Sequence, residues 1–222
     1  MRLLDLFKKK NNRVSGDSYI AYRNQWSQRI ENLEEVYGTD AKALIYNKNF
    51  NLEFFQKFES ALYLRELDTT ATYEENFTQR NPLNFPGPFY TLETDNCGTG
   101  QPEAPENILC DNEGREHIFM QPRTTKELSN ILTASLIDPF GSYAINGNEH
   151  WNLKLIKEWW RNKHRLIDTL LSSDFEENNK GQNFVYIEYL KGPAKLDLQR
   201  YAYFLETGKY PSDEIINLPE ID

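Results

Sequence analysis

The middle of the chain, residues 66–120, constrains the fold more than any other feature. It holds five of the ten prolines of the protein. It also lacks a sustained hydrophobic period of either the helical or the strand type. Because proline fixes φ and removes a backbone donor, regular structure cannot run through this stretch unbroken. The pattern predicts a long ordered loop region that lies between helical segments.

The same stretch concentrates the negative charge. It contains eleven acidic residues and two basic ones, Arg80 and Arg115, so its net charge of −9 equals that of the whole protein. An acidic, proline-stiffened surface that carries aromatic residues is better suited to holding a basic partner than to catalysis. The charge pattern therefore predicts a binding surface in this part of the chain.

Length and composition predict one packed domain. The chain has 222 residues, 39% of them hydrophobic and 14% aromatic, so residues 1–222 are expected to form a single globular domain. No apolar run approaches the roughly 20 residues that span a bilayer. The short apolar patch at the N-terminus turns basic at once, which argues against a secretory signal and favours a cytoplasmic protein. Cys97 and Cys110 are too few for a disulfide scaffold and are expected to be reduced.

The N-terminal extension differs in charge from the rest. Residues 1–13 carry five bases and one acid, a net of +4, so the remainder nets −13. A body this acidic is repelled by phosphates, which argues against nucleic-acid binding. Residues 1–10 form a small basic amphipathic unit, but it is too short for firm attachment to an anionic membrane.

Apolar residues at three- and four-residue steps predict five helices. Thr124 and Glu127 fit a capping box at the start of the third, and Pro139 closes it. The polar segment 172–182 is predicted to be a loop. The five helices are expected from about Tyr19 to Gly38, after an N-cap at Asn51, from Thr124 to Pro139, as one long helix from about Glu149 to Leu171, and from Gly192-Pro193 to Gly208.

Strand signals are few and short. Residues 89–92 and 117–120 are aromatic or β-branched and are bounded by turn residues, so they are candidates to pair as a small sheet. The predicted fold is therefore α+β and mainly α-helical. It is a single domain with a small β element and a long ordered acidic loop region.

The candidate chemical sites are weak. Asp95, Cys97, Cys110 and His117 are zinc-ligand types, but the two cysteines lie thirteen positions apart rather than in a close pair. A Cys97 nucleophile with a histidine base has no local signature. Residues 98–100 resemble a phosphate loop, but prolines follow where a helix should begin, so a tight turn is favoured. No catalytic residue, cofactor or metal is predicted, and the tryptophans near residue 150 are expected in the core.

Two blocks of the sequence carry a family resemblance. The first comprises residues 85–91 (FPGPFYT), 95–100 (DNCGTG) and 102–105 (PEAP), and the second comprises residues 147–151 (GNEHW) with the later pair 159–160 (WW). These blocks resemble bacterial immunity-type proteins, the partners found beside polymorphic or contact-dependent toxins. The resemblance covers most of residues 19–220. It implies a cytoplasmic protein that binds and blocks a cognate toxin, and it assigns no inhibitory residue.

The resemblance and the charge pattern lead to the same hypothesis. An acidic surface that covers the active site of a basic toxin would speed the encounter and select the right partner. The predicted partner-binding residues are Glu74, Glu75, Phe89, Tyr90, Glu93, Asp95, Glu103 and Glu106. Two alternatives stay open. One is an enzyme that uses the neighbourhood of Asp95, Cys97 and His117, and the other is a membrane-associated accessory protein.

Overall fold

The fold is mainly helical, as expected, with short antiparallel strands. A computed structural model describes residues 16–47, 52–63, 77–92, 98–211 and 217–222. The elements are α1 (Gly16–Glu31), α2 (Leu33–Tyr37), α3 (Lys42–Ile45), α4 (Leu52–Tyr63), β1 (Tyr90–Thr91), α5 (Gly100–Glu103), β2 (Ile108–Cys110), β3 (Glu116–Ile118), α6 (Thr125–Ile137), β4 (Tyr143–Ala144), α7 (Gly147–His150), α8 (Leu153–Arg161), α9 (Lys163–Leu170), α10 (Ser173–Asn179), α11 (Asn183–Lys191) and α12 (Ala194–Thr207).

The segment predicted as one helix from about Tyr19 to Gly38 is helical, but it is divided into α1 and α2 at Asn32. Trp26 and Ile30 of α1 are each 2% exposed, and Trp26 meets the edge of Phe58 of α4 with ring centroids 5.5 Å apart. Edge-to-face pairs of this kind add to the burial of apolar surface. The helix predicted after Asn51 is therefore confirmed as α4, although Asn51 itself lies outside the described residues.

The predicted start of α6 is confirmed in part. The Thr124 hydroxyl accepts a hydrogen bond from the backbone N–H of Glu127 at 3.1 Å, as an N-cap should. The Glu127 carboxylate, however, accepts from the backbone N–H of Arg123 at 2.8 Å and not from that of Thr124. The helix ends at Ile137, before Pro139, as predicted.

The single long helix predicted from Glu149 is wrong. The chain forms α7, α8 and α9 instead, because two asparagines end one helix and begin the next. Asn152 is extended and its side chain caps α8 by accepting from the N–H of Leu155 at 3.1 Å. Asn162 separates α8 from α9 and donates its side-chain amide to the carbonyl of Glu158 at 2.8 Å. Asparagine competes for backbone groups in this way, which apolar periodicity alone does not reveal.

The polar segment 172–182, predicted to be a loop, is largely the helix α10. Phe175 and Asn179 lie one turn apart and are both buried, which gives this otherwise polar helix an inward edge. Lys180 then ends the helix in the left-handed conformation with φ of 52°. The final helix α12 is confirmed, and it ends at Gly208 with φ of 76°.

The two predicted strand segments exist but do not pair with each other. β1 pairs antiparallel with β4, and β2 pairs antiparallel with β3. The link between the sheets is made by side chains, since the Thr91 hydroxyl donates to the carbonyl of Glu116 at 2.8 Å. Two-stranded sheets this short need packing against other elements to be stable. Here they lie in the centre of the protein, where their residues are buried.

Buried amides hold the irregular chain around these sheets. Asn84 is 2% exposed; its oxygen accepts from the N–H groups of Thr91 and Ile118 at 3.1 and 2.9 Å. Its nitrogen donates to the carbonyls of Asn81 and Thr91, each at 2.8 Å. The side-chain amide of Gln121 holds the segment from Phe85 to Phe89 by donating to the carbonyls of these two residues at 3.0 and 2.8 Å. Irregular backbone can be buried only when its polar groups are satisfied, and these amides satisfy them.

Close backbone contact fixes where the β1 loop meets α7. A Cβ at Gly147 would lie 2.1 Å from the carbonyl oxygen of Gly87, closer than real Cβ contacts come. Only glycine fits this approach. Within the part of the chain that the structure describes, no helix has the length and apolar character needed to cross a membrane.

Candidate interaction surface

The structure separates the predicted partner-binding residues into three groups. Glu74, Glu75, Glu93 and Asp95 lie outside the described residues, so their placement stays a prediction. Phe89 and Tyr90 are each 1% exposed. Glu103 and Glu106 are exposed.

The two aromatic residues are interior groups, which corrects the prediction that they anchor a partner. Tyr90 lies in β1, and its hydroxyl donates to the side-chain oxygen of Asn146 at 2.8 Å. The backbone N–H of Phe89 donates to Gln121, and its ring meets the edge of Phe55 at 6.3 Å. These hydrogen bonds hold the loop that carries Phe89 and Tyr90 in the interior, so neither side chain is available at the surface.

Some acidic residues of the central stretch serve internal structure. Asp111 is 7% exposed; its carboxylate accepts from the N–H groups of Glu113 and Arg115, each at 2.9 Å, and closes the turn between β2 and β3. The same carboxylate lies 3.0 Å from the guanidinium of Arg115, which also contacts Glu113 at 3.1 Å. The Arg115 guanidinium is therefore already paired with two carboxylates.

Glu116 is the most enclosed of these acids, at 3% exposed. One of its oxygens accepts from the N–H groups of Gly100 and Gln101 at 2.6 and 2.9 Å, which satisfies the free donors at the start of α5. Its other oxygen accepts from the Tyr143 hydroxyl at 2.6 Å. Burial, and then the charge of Glu116, raise the pKa of Tyr143 well above its ordinary value, which keeps the hydroxyl protonated as a donor.

One buried side chain makes several of the hydrogen bonds that hold the polar helix α10 against the same region. Asn179, 1% exposed, accepts from and donates to the backbone of Cys110 in β2, with both bonds at 2.8 Å. Its oxygen also accepts from the side-chain amide of Gln101 in α5 at 3.1 Å. Both α5 and α10 pack against β2. A single asparagine of α10 therefore bonds to β2 and to α5, across 69 and 78 positions of the chain.

Five outward-facing acids of the region lie on α10, at the end of α5 and just after it. None of the five forms an ion pair with a described residue, and Arg115, the basic residue nearest in sequence to α5, is occupied by Asp111 and Glu113. Sequence patterning missed three of the five because segment 172–182 was predicted to be a loop. The α5–α10 carboxylates are defined as Glu103, Glu106, Asp174, Glu176 and Glu177.

An exposed apolar patch adjoins α10. Leu171 precedes it at the end of α9, and Phe184 and Val185 follow it in α11, with exposures of 55%, 46% and 50%. The two helices are held together beneath the patch, since the Asn183 side chain donates to the carbonyl of Leu170 at 2.7 Å. Large apolar groups rimmed by polar ones are typical of protein–protein interfaces.

The described part of the neighbourhood proposed for an enzyme supplies no accessible base. His117 is 0% exposed, lies between Phe175 and Tyr186, and has its pKa lowered to about 3 by burial. Burial likewise raises the pKa of the Cys110 thiol to about 12. Asp95 and Cys97 lie outside the described residues, and within those that are described no group of three metal-binding side chains occurs.

The tryptophans near residue 150 are confirmed as largely core residues. Trp151 and Trp160 are 4% and 7% exposed. His150 stacks on Phe77 with centroids 4.9 Å apart, and its Nε2 lies 3.2 Å from the Asn146 amide. These contacts hold the His150 ring in place and give it a structural role.

Comparison with known proteins adds no assignment to this geometry. No protein-family model, curated protein or solved structure matches the chain.

Proposed function

We propose that this chain is a binding protein that captures a basic partner protein, a cognate bacterial toxin, and neutralises it by covering its active site in the cytoplasm. The α5–α10 carboxylates supply the electrostatic part of the interface. The sequence blocks that resemble immunity-type proteins suggest the class of partner.

One observation carries the proposal. Five carboxylates are exposed on α10, at the end of α5 and just after it; both helices pack on the same strand, and none of the five forms an ion pair with a described residue. Exposed carboxylates without ion-pair partners make this side of the protein attractive to positive charge. A partner that brings lysine and arginine side chains can pair with them when it binds. The arrangement therefore favours a basic partner and a fast encounter.

The apolar patch of Leu171, Phe184 and Val185 supplies the apolar contact area that the carboxylates do not provide. Charged pairs at an exposed rim contribute mainly to the association rate, whereas buried aromatic and aliphatic groups contribute most to the lifetime of a complex. Phe184 is the largest apolar side chain of this patch and is 46% exposed. It is expected to enter a pocket on the partner, with α10 placing its carboxylates along the edge of that contact.

The two alternatives are less well supported. Catalysis through His117 would need a base that solvent and substrate can reach, and this ring is enclosed and held neutral. The membrane alternative rests on residues 1–10, which lie outside the described part of the chain. Loss of vesicle binding on deletion of residues 1–10 would support it.

A growth assay tests the proposal. The chain is co-expressed with the product of the gene next to its own, and we expect it to restore growth that this product alone prevents. Replacing Asp174 and Glu177 by Lys should weaken protection, and adding Glu103→Lys and Glu106→Lys should abolish it. Each substitution reverses an exposed charge and is expected to leave the fold intact.

The matched control lies on a different helix. Glu34→Lys with Glu35→Lys makes the same change in net charge at two exposed positions of α2. If this pair weakens protection as strongly as the α10 pair, the effect comes from overall charge and the assigned surface is wrong. If the neighbouring gene product is harmless, or is not bound, the toxin assignment fails.

A further inference from the structure

Arg80 has an environment that the proposed function does not use. Its guanidinium carbon lies 4.1 Å from the ring centroid of Phe77 and 4.7 Å from that of Trp151, in the angle between two perpendicular rings. One of its nitrogens donates to the carbonyl of Phe77 at 2.8 Å. Cation–π contacts of this type hold the guanidinium plane in a fixed position.

No described acidic side chain pairs with the positive charge of Arg80. Its only hydrogen bond among the described residues is the one to Phe77, although a guanidinium has five N–H donors. Burial lowers the pKa of Arg80, whereas a contacting carboxylate would raise it. A half-buried cation with unused donors is costly unless an anion binds to it.

Arg80 lines an open groove. The groove has a volume of about 550 Å³ and lies between the loop at Arg80 and the helices α8 and α9. It continues into a second groove of about 320 Å³, which shares Arg80, Leu83 and Thr169 with it. These volumes fall in the range of small-molecule sites.

The walls of the larger groove combine a flat apolar surface with a second cation. Trp159 and Leu83 are half-buried and line it together with Leu155, and the exposed Arg165 lies on its α9 side. Glu158 also lines it, and its carboxylate lies 3.9 Å from the amine of Lys154. Two guanidinium groups and one carboxylate line the larger groove, and the acids of the smaller groove, Asp111 and Glu113, contact Arg115. The surplus positive charge of the larger groove suits a single negative charge better than a double one.

We propose that this groove binds a small carboxylate carried on an aromatic or apolar body. The carboxylate would pair with Arg80 in the planar two-bond geometry that guanidinium groups favour, and the apolar body would lie against Trp159 and Leu83. Arg165 adds attraction at the open side. The site is separate from the α5–α10 carboxylates, and the inference goes beyond the proposed function.

Titration of the whole protein with phenylbutyrate, followed by NMR of the indole N–H groups, tests the site. We expect saturable shifts for Trp159 and Trp151, and none for Trp26, which lies in the core beside α4. Arg80→Gln should weaken binding about tenfold or more, because it removes a charge-assisted pair. The neutral phenylbutyramide should not bind.

Two further variants keep the test decisive. Arg165→Gln, at an exposed position, should weaken binding several-fold even if Arg80→Gln does not fold. Arg29→Gln is the matched control, because Arg29 also lies over a tryptophan, 5.0 Å from Trp26, beside a different groove. Equal binding of phenylbutyramide, or unchanged binding by both the Arg80 and Arg165 variants, would overturn the site. Tighter binding of phenyl phosphate than of phenylbutyrate would overturn the carboxylate assignment.

Discussion

The sequence predicts loops for both residues 66–120 and residues 172–182, yet the two segments differ in the structure. The described part of the first segment is mostly buried and forms the centre of the protein. The second is a helix whose buried edge is two residues, Phe175 and Asn179, and whose remaining side chains face solvent. The segment richest in acids thus provides much of the interior, and a short helix provides three outward-facing acids.

The difference shows what buried irregular chain requires. Backbone without a regular ladder leaves N–H and C=O groups unpaired, and burying them is costly unless side chains satisfy them. In residues 77–122 the amides of Asn84 and Gln121 and the carboxylates of Asp111 and Glu116 fill this role. Helix α10 pairs its own backbone, so its acids are free to face outward. Three predictions test this contrast.

Removal of the Asn84 amide should have the largest effect on stability. Asn84→Ala leaves the N–H groups of Thr91 and Ile118 buried without an acceptor, at a cost of about 1–3 kcal/mol each, so we expect a total loss of about 4 kcal/mol. Urea unfolding measures it. Asn112→Ala, an exposed asparagine of the same segment, should cost about 0.5 kcal/mol or less. Similar losses for the two variants would contradict the account.

Neighbouring asparagines of α10 allow a second test. Asn179→Ala removes the bonds to both backbone groups of Cys110 and to Gln101, and should cost about 3 kcal/mol. Asn178 is exposed and makes one bond, to the carbonyl of Asp111 at 2.9 Å, so Asn178→Ala should cost about 1 kcal/mol or less. Hydrogen exchange should show α10 opening in the first variant alone. Unchanged protection there would mean that Asn179 does not fasten the helix.

The third prediction concerns pH. His117 has its pKa lowered from 6.5 to about 3, so the unfolded chain binds a proton that the folded chain excludes. Its contribution to stability is complete above pH 6.5 and is lost as the pH falls toward 3, by about 1.4 kcal/mol per unit. His117→Leu should flatten the fall in unfolding free energy between about pH 6.5 and 5.5. His164 is exposed, so His164→Leu should leave the fall unchanged. An equal slope in both variants would show that His117 does not cause the fall in unfolding free energy.

The sequence predicted the parts of this fold that depend on local order. The repeating apolar positions of α1 and α12, the hydroxyl cap at Thr124 and the stop at Gly208 act within a few residues, and all are present in the structure. The mainly helical α+β class follows from them. The long helix from Glu149 was wrong because the capping roles of Asn152 and Asn162 compete with apolar spacing.

The candidate surface could be predicted only in part, for a physical reason. Glu103 and Glu106 are exposed as expected, but the burial of Phe89 and Tyr90 depends on bonds to Gln121 and Asn146, which lie 32 and 56 positions away. The acids of α10 join the surface through Asn179, whose bonds reach Cys110 and Gln101 across 69 and 78 positions. Contacts at such separations leave no local pattern in the sequence.

The association rate with the neighbouring gene product, measured at increasing salt, tests the central claim most directly. If the α5–α10 carboxylates guide the encounter, the wild-type rate should fall about tenfold or more between low and physiological ionic strength. The variant with Glu103, Glu106, Asp174 and Glu177 replaced by Lys should associate slowly at every salt concentration. A wild-type rate that does not change with salt, or a variant that associates as fast as the wild type, would contradict recognition by these carboxylates.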